Sequence, residues 1–334
     1  MTFAPAHCRP RARGLRGDLA RLLVPAALLA VAATSAFADG DGSFDANRRI
    51  ENEYKLDVPD DLADEVWAYL RTRYPDAGAT VLAAFGGVHR ARFSVEYFRD
   101  TYLDTRERRL LALRAGVRHR RRTIPHDTTD AKHGRELVQV KLSGVDSVTR
   151  HRVELKFEPR PLADGRAEAP AAVLERIDRD DRARFTAACR ELGVRAQELG
   201  AALGNAQTRR RVYLSIDGAD VATISLDRVC ADQGWWSAVF HEVEIEIDEA
   251  TYTQGTPEQR ARLDTMIGVI ADDLRARFPR ITQDQTPKYN KSQARLADPR
   301  TRTWTPAGDV AIVLGSVALL MAGAWLTRRR VGHR

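Results

Sequence analysis

Two glutamates and a lysine alternate along a short stretch, as Glu51, Glu53 and Lys55. Alternate side chains of an extended strand point to one face, so these three charged groups are predicted to lie together. Neighbouring carboxylates raise each other's pKa, and a divalent cation relieves their repulsion. Carboxylate oxygens suit Mg²⁺ or Mn²⁺, and the ammonium suits a phosphate oxygen. Taken alone, the pattern also fits the solvated face of an edge strand.

Charged and apolar residues alternate in the same way on several other predicted strands. The charged positions are Arg118, Arg120 and Arg122; Lys141; Arg152, Glu154 and Lys156; Arg209 and Arg211; and Glu242, Glu244 and Glu246. A sheet with one wet face also alternates, but such a face usually mixes Ser, Thr, Gln and Lys. The dense blocks of acids and bases instead favour a closed antiparallel β-barrel with a charged lumen. Its apolar faces would point outward and be covered by helices, which makes the fold class α+β.

Hydrophobic periodicity predicts more strands than helices in the folded region. Strands are expected at 50–58, 91–98, 117–124, 136–142, 152–157, 210–216, 221–226 and 239–247, and helices at 62–73, 180–192 and 256–278. The dipeptide Asp217-Gly218 is typical of a tight hairpin turn. The region is long enough to bury one substantial core.

The two ends of the chain carry targeting patterns. Arginines, an apolar run and the small-residue site Ala36-Phe37-Ala38 form the pattern of a secretory signal peptide. A second apolar segment, Val310–Leu326, is near the lower end of the ~17–25 residues that span a bilayer. Arginines follow it and favour the cytoplasmic side. We therefore expect a single-pass membrane protein with an extracytoplasmic domain, periplasmic or at the cell surface; an uncleaved N-terminal anchor is the alternative.

These patterns divide the chain into five segments. They are a signal peptide at 1–38, a folded domain at 47–296, a linker at 297–309, a transmembrane helix at 310–326 and a basic cytoplasmic tail at 327–334. The membrane is thus an expected partner through the C-terminal helix.

Charge and cysteine content limit the partners and the redox state. The chain has 53 Lys and Arg and 46 Asp and Glu, for a net charge of +7. Both signs are frequent between the two apolar segments, which argues against a simple nucleic-acid-binding surface, so no nucleic acid partner is expected. Cys189 and Cys230 would remain after signal cleavage. An oxidising compartment would permit a disulfide between them, and two buried free thiols are the alternative.

Taken in order, the motifs resemble those of the CYTH-like triphosphate tunnel metalloenzymes. The matching elements are Glu51-x-Glu53-x-Lys55; Tyr102-Leu103-Asp104-Thr105 with Leu110 and Gly116; Arg120 and Arg122; Lys141; Arg152 and Glu154; Asp227; Glu242, Glu244 and Glu246; and Lys288-Tyr289. The resemblance extends from about Arg49 to Lys291 and so covers the folded domain. Three positions depart from the pattern: His119 replaces a leucine, Val140 replaces the leucine that often precedes the lysine, and Lys156 replaces an acidic residue common after Arg-x-Glu.

The resemblance implies a tunnel that binds a triphosphate or polyphosphate chain with Mg²⁺ or Mn²⁺. The implied phosphate contacts are Lys55, Arg120, Arg122, Lys141, Arg152, Arg209, Arg211 and Lys288. The implied metal ligands are Glu51, Glu53, Glu154, Asp227, Glu244 and Glu246. Phosphoryl transfer depends on positioning and electrostatic stabilisation, so no nucleophilic side chain is required and no catalytic residue is assigned.

Three activities stay open at this point. The first is a metal-dependent triphosphatase acting on inorganic triphosphate or a nucleoside triphosphate. The second is a polyphosphate polymerase or nucleotidyl cyclase on the same fold. The third is a non-catalytic module that binds polyphosphate or phosphorylated ligands. An extracytoplasmic location would favour inorganic polyphosphates or ligand binding, because nucleoside triphosphates are scarce there.

Overall fold

The computed structural model describes residues 48–74, 82–123, 134–142, 151–161 and 171–304. These residues form a ten-stranded sheet with helices packed on it. The strands are β1 (Arg48–Val58), β2 (His89–Asp104), β3 (Gly116–Thr123), β4 (Glu136–Lys141), β5 (His151–Phe157), β6 (Gly200–Ile216), β7 (Ala219–Gln233), β8 (Trp236–Ile247), β9 (Thr282–Gln283) and β10 (Arg302–Trp304). The helices are α1 (Ala63–Arg73), α2 (Arg109–Ala112), α3 (Arg179–Glu191), α4 (Glu249–Gln254), α5 (Pro257–Arg277) and α6 (Lys288–Ala297).

All strand pairs in the sheet are antiparallel. The order is β10-β8-β7-β6-β2-β3-β4-β5-β1-β9, and an additional pairing brings β8 against β1. That pairing runs from Glu53 opposite Glu246 to Val58 opposite His241. As a result, each strand from β1 to β8 has a hydrogen-bonded neighbour on both edges. The expected antiparallel sheet with helices packed on it is confirmed.

Two apolar clusters cover the face of the sheet that carries the apolar positions. The larger cluster joins β1, β6, β7 and β8 to α1 and α5, and includes the fully buried Leu56, Leu70 and Ile270. The smaller cluster lies under α3 and includes Phe157 and Phe185. Each fully buried side chain of this kind contributes about 1.5–3 kcal/mol. Since apolar and charged residues alternate, this packing commits the charged side chains of the same strands to the opposite face.

A tight turn sets the register of the long hairpin formed by β6 and β7. Its two loop residues are Asp217 and Gly218, with φ of +51° and +86°. Positive φ at both positions is the requirement of a type I′ hairpin turn, which the sequence predicted. The Asp217 carboxylate also accepts a hydrogen bond from the backbone amide of Val88, at 2.8 Å.

Several elements differ from the sequence expectation in length. β2 continues to Asp104 rather than ending at residue 98, and β6 begins at Gly200 rather than at residue 210. The added part of β6 is rich in small and polar residues, so it lacks the alternation by which the other strands were recognised. α6 was not predicted, and β10 lies within the range expected to be a linker.

The membrane localisation needs a correction. Among the described residues, no helix is both long enough and apolar enough to cross a membrane. The 21-residue α5 has sufficient length but carries charges such as Arg262 and Asp272. This finding contradicts the prediction of a single-pass membrane protein with an extracytoplasmic domain, which is withdrawn. The segments 1–38 and 310–326, on which that prediction rested, lie outside the described residues.

Both cysteines of the folded region are buried and free. Cys189 lies in α3 and Cys230 in β7. Burial raises the pKa of the Cys189 thiol to about 12. Of the two alternatives left open by the sequence, the structure therefore has free thiols.

Candidate functional site

A cavity of about 90 Å³ opens on the charged face of the sheet. Nine lining side chains are basic and four are acidic. The basic residues are Lys55, Arg114, Arg118, Arg120, Lys141, Lys156, Arg209, Arg211 and Lys288; the acidic residues are Glu51, Glu53, Glu244 and Glu246. Such an excess of positive charge in a concave site attracts a polyanion.

The registers of β6, β7, β8 and β1 arrange these charges in three rows. The outer row is Tyr213, Thr223, Glu246 and Glu53; the middle row is Arg211, Ser225, Glu244 and Lys55; and the inner row is Arg209, Asp227, Glu242 and Asp57. Residues directly opposite one another on paired strands share a face, and their side chains interact. Each row therefore brings side chains from four strands to one level of the cavity wall.

The motif on β1 combines an acidic and a basic contact surface. Lys55 is only 2% exposed, and its Nζ lies 3.1 Å from Glu53 and 3.2 Å from Glu244. Glu51 accepts a hydrogen bond from Lys141 at 2.7 Å. The structure thus brings together these two predicted phosphate contacts and three predicted metal ligands. Their roles stay predictions.

The arginines of β3 are held by one buried carboxylate. Arg120 donates two hydrogen bonds to Asp100, both of 2.7 Å, and Arg118 lies 3.3 Å from the same group. Burial opposes ionisation of Asp100, but Arg120 and Arg118 outweigh it and lower its pKa to about 2. A forked pair of this kind fixes the guanidinium plane, which orients Arg120 in the cavity wall. Arg122, a predicted phosphate contact, is not among the residues that line the cavity, and it lies 3.1 Å from Glu96.

Three carboxylates on β7 and β8 form a buried acidic cluster. One oxygen each of Asp227, Glu242 and Glu244 lies within 4.8 Å of the others, which is close enough to hold a metal ion. Lys288 of α6 is 2.6, 2.9 and 3.5 Å from these three groups. Arg209 donates two hydrogen bonds to Asp227, of 2.7 and 2.5 Å, and a further one to Glu244.

The charges in this cluster favour an ammonium group over a divalent cation. Burial lowers the pKa of Lys288, but the three carboxylates outweigh burial and raise that pKa above its usual value. Burial likewise opposes ionisation of Glu244, and Lys288, Lys55 and Arg209 nevertheless hold its pKa well below the usual range. These side chains already neutralise the cluster, so an added divalent cation would meet basic groups at close range.

The outer row fits a divalent cation better. Glu53 and Glu246 lie directly opposite each other on β1 and β8. Like charges in that position repel each other, and the Lys55 ammonium 3.1 Å from Glu53 offsets part of that repulsion. Mg²⁺ commonly binds through one or two carboxylates together with phosphate oxygens and water. The predicted metal ligands therefore fall into two groups: Glu51, Glu53, Glu244 and Glu246 line the cavity, whereas Glu154 and Asp227 lie behind its wall in ion-paired networks.

Glu154 shows how a departure from the family pattern is accommodated. This fully buried carboxylate accepts a hydrogen bond from Gln139 at 2.8 Å and lies 3.2 Å from Lys156. Lys141 lies 3.7 Å from it. Lys156 thus neutralises Glu154 where the family commonly has another acid. Arg152 is opposite Glu51 in the register of β5 and β1, and its side chain lies outside the described part of the structure.

Sequence reasoning missed Lys291, which anchors α6 to the site. Its Nζ lies 3.0 Å from Asp57, 2.8 Å from Asp284 and 3.3 Å from Glu242, and the residue is buried. Residues three apart on a helix share a face, so Lys288 and Lys291 reach the same network. A helix predicted at 288–297 would have shown that Lys291 lies on the same face as Lys288.

Asp100 was also missed, because the predicted strand ended two residues before it. Its position in phase with Glu96 and Asp104 could have identified it had β2 been extended. Glu242 was recognised as part of an acidic run, and Arg118 as part of a basic one, but neither received a role.

A tyrosine pair fixes the other side of α6. The Tyr289 hydroxyl donates a hydrogen bond to Asp104 at 2.8 Å, and its ring stacks on Tyr102 with centroids 4.8 Å apart. Asp104 in turn accepts hydrogen bonds from the backbone amides of Leu110 and Leu111 at α2, of 2.9 and 3.1 Å. The motif residues Asp104 and Tyr289 therefore hold α6 in place, and Lys288 enters the cavity from that helix.

Comparisons with known proteins give structural neighbours alone. No known family profile matches the sequence, and no curated protein matches it. A candidate adenylyl cyclase of Hippeastrum, described as having a dominant triphosphatase activity, is 14% identical with a TM-score of 0.46, and the alignment covers 75% of this chain and 98% of that one. A protein of Pyrococcus horikoshii is 16% identical with a TM-score of 0.41, with coverage of 73% and 97%.

An RNA triphosphatase of S. pombe is a more distant neighbour. It is 10% identical with a TM-score of 0.36, and the alignment covers 68% of this chain and 84% of that one. The TM-scores of these three neighbours are all below 0.5, so the similarities carry no argument.

Proposed function

We propose that the ring of strands β1–β8 encloses a triphosphate tunnel and that the protein is a metal-dependent triphosphatase. The supporting observation is the composition of the cavity wall, where nine basic side chains accompany four acidic ones. A cavity that held only water would leave this excess of basic over acidic side chains unbalanced. A triphosphate chain is a linear polyanion, and it complements basic groups that come from several strands.

The basic residues would divide into fixed and mobile contacts. The guanidinium plane of Arg120 is held by Asp100 and lies over the Phe98 ring, 4.2 Å from its centroid. Arginine in a fixed plane binds phosphate oxygens in a defined orientation, whereas lysine supplies a point charge at the end of a flexible chain. Lys141 and Lys55 would therefore adjust to the anion, and Arg120 would set its position.

The outer row would hold the cation. Glu53 and Glu246 would bind Mg²⁺ or Mn²⁺ together with phosphate oxygens, and Glu51 lies next on the same face of β1. When bound, the cation supplies charge neutralisation and activates water for attack on phosphorus. Glu154, Asp227 and Glu244 would serve mainly to hold Lys156, Arg209 and Lys288 in the wall.

The protein's own side chains would act by positioning charged donors around the triphosphate. Among the described lining residues there is no serine, cysteine or histidine, so a covalent phospho-enzyme on one of these side chains is not part of the proposal. Positioned donors that stabilise developing charge account for most of the catalysis of phosphoryl transfer.

A second candidate is a non-catalytic module that binds polyphosphate. The observation that favours it is Lys288, whose ammonium occupies the acidic cluster of Asp227, Glu242 and Glu244. A lysine in that place removes one potential cation site. The preference for inorganic over nucleoside triphosphates no longer applies, because it depended on the withdrawn localisation.

Phosphate release separates the two candidates. The purified protein is incubated with inorganic triphosphate or ATP, each with Mg²⁺ or Mn²⁺, and free phosphate is measured. We expect metal-dependent release that Glu53→Gln abolishes. Binding without release would favour the non-catalytic module, and neither binding nor release would contradict both candidates.

A further inference from the structure

An aromatic and basic pair lies next to the cavity on β2 and β6. Arg92 and Tyr213 are direct cross-strand partners, and the guanidinium carbon of Arg92 lies 4.0 Å from the centroid of the Tyr213 ring. Tyr213 lies on the same face of β6 as Arg209 and Arg211, and Arg92 belongs to none of the motifs recognised in the sequence. A cation–π pair between neighbouring strands stabilises the sheet, which is the simplest account of it.

The position of Tyr213 connects it to the proposed triphosphate site. Tyr213 follows Arg211, a cavity-lining residue, by two positions on β6, so the two side chains share a face about 6–7 Å apart. Arg211 donates a hydrogen bond to the Tyr213 hydroxyl at 3.3 Å. Tyr213 also belongs to the outer row, together with Glu246 and Glu53. Tyr213 itself does not line the cavity, so it would contact a group attached to the end of a bound triphosphate rather than the phosphates.

The Arg92 side chain beside Tyr213 is exposed to solvent and can be contacted by a planar ligand. The Arg92 side chain is 62% exposed, and its guanidinium carbon lies over the Tyr213 ring. Arg211 also lies over that ring, 5.7 Å from its centroid, so a base would stack on the exposed side of Arg92. Asp220 lies 3.5 Å from Arg92 and is itself half exposed, which places a hydrogen-bond acceptor beside the pair. Nucleobases stack on aromatic rings and on arginine planes, and their exocyclic amino groups donate to carboxylates.

We propose that Arg92 and Tyr213 form a stacking surface for the base of a nucleoside triphosphate whose phosphates occupy the cavity. This inference rests on the proposed function and narrows its substrate class from any triphosphate to nucleotides. Inorganic triphosphate would use the phosphate contacts and leave the stacking surface empty.

Equilibrium binding tests the inference with two probes. Affinities for ATP and for inorganic triphosphate are measured by calorimetry in EDTA, which prevents metal-dependent turnover. The variants are Tyr213→Ala, Arg92→Ala and, as the matched control that keeps the aromatic ring, Tyr213→Phe. Because the Arg92 side chain is largely exposed, we expect Arg92→Ala to fold. Circular dichroism checks the fold of each variant.

The expected result is selective for the nucleotide. Tyr213→Ala should weaken ATP binding about tenfold or more and leave inorganic triphosphate unchanged, while Tyr213→Phe keeps most of the ATP affinity. Arg92→Ala should weaken ATP in the same selective way. Equal effects on both ligands, or no effect on either, would overturn the inference while the triphosphate site stands. Failure of the wild-type protein to bind ATP would overturn this inference, whereas the proposed function is contradicted only if metal-dependent phosphate release is absent as well.

Discussion

Glu53 of β1 lies directly opposite Glu246 of β8, where the first strand pairs with the eighth. Two carboxylates in this position repel, whereas the next level along the same strands pairs Lys55 with Glu244 at 3.2 Å. Lys55 also lies 3.1 Å from Glu53, so it offsets part of this repulsion. We propose the outer row as the cation site because both facing carboxylates line the cavity, whereas Asp227 does not.

The outer-row assignment predicts the effect of Glu53→Gln. The amide keeps the shape of the side chain and removes one of the facing charges, so Mn²⁺ affinity should fall about tenfold or more. The metal-free protein should not be destabilised through the Glu246 contact, since a like-charge repulsion is relieved. Calorimetric titration with Mn²⁺ measures the change. Glu65→Gln, on the exposed surface of α1, is the matched control, and equal Mn²⁺ affinity in both variants would refute the assignment.

The proposed phosphate contacts predict the effect of Lys141→Gln. This side chain lines the cavity and holds Glu51 at 2.7 Å. Hydrogen bonds to charged groups contribute about 1.5–3 kcal/mol, so triphosphate binding should weaken roughly tenfold to a hundredfold. Binding is measured by calorimetry at low salt. Arg184→Gln on the surface of α3 removes a positive charge far from the lining and should have no effect; a similar loss in both variants would show that net charge alone is responsible.

Lys291 predicts a large effect on stability. Its ammonium is buried among Asp57, Glu242 and Asp284. Removal of one partner from a buried ionic network leaves uncompensated charge and costs about 3–5 kcal/mol, which is the expected loss for Lys291→Met. Adding Asp284→Asn to that variant should recover part of the loss, because it removes one of the stranded carboxylates. Urea unfolding measures both. A loss below about 1 kcal/mol would mean that α6 is held by other contacts.

Asp100 predicts a specific pH dependence of stability. Its pKa is about 2 in the folded protein against 3.8 for an ordinary aspartate. A depressed carboxyl pKa contributes stability that is present above the unfolded pKa and is lost as the pH falls from about 4 to about 2. The loss amounts to roughly 2 kcal/mol. In Asp100→Asn that component should be absent, so the variant starts less stable but declines less steeply between these pH values. Parallel stability curves for the two proteins would contradict the assignment.

The sequence predicted the parts of the fold in which charge and apolar character alternate. β1, β3, β5 and β8 lie within a few residues of their expected ranges, and the Asp217-Gly218 turn is where its dipeptide placed it. In these segments one physical requirement, an apolar face under the helices, determines both the strand and the direction of its charges.

The rest depended on partners that are distant in the chain. The first half of β6 has few alternating charges and is a strand because β2 and β7 flank it. α6 contributes the buried Lys288, Tyr289, Lys291 and Ser292, so polar contacts rather than an apolar stripe hold it. Sequence periodicity could predict which carboxylates face the cavity. It could not predict that Lys288 would neutralise Asp227, because those residues meet only in the folded sheet.

The most direct test of a triphosphate site is the melting temperature of the protein with equal concentrations of phosphate, pyrophosphate and inorganic triphosphate. A ligand that binds the folded state raises the melting temperature by mass action. The cavity contacts come from several strands, so the increase should grow with each added phosphoryl group and diminish with added salt. Equal shifts for all three anions, or no shift with triphosphate, would contradict the account.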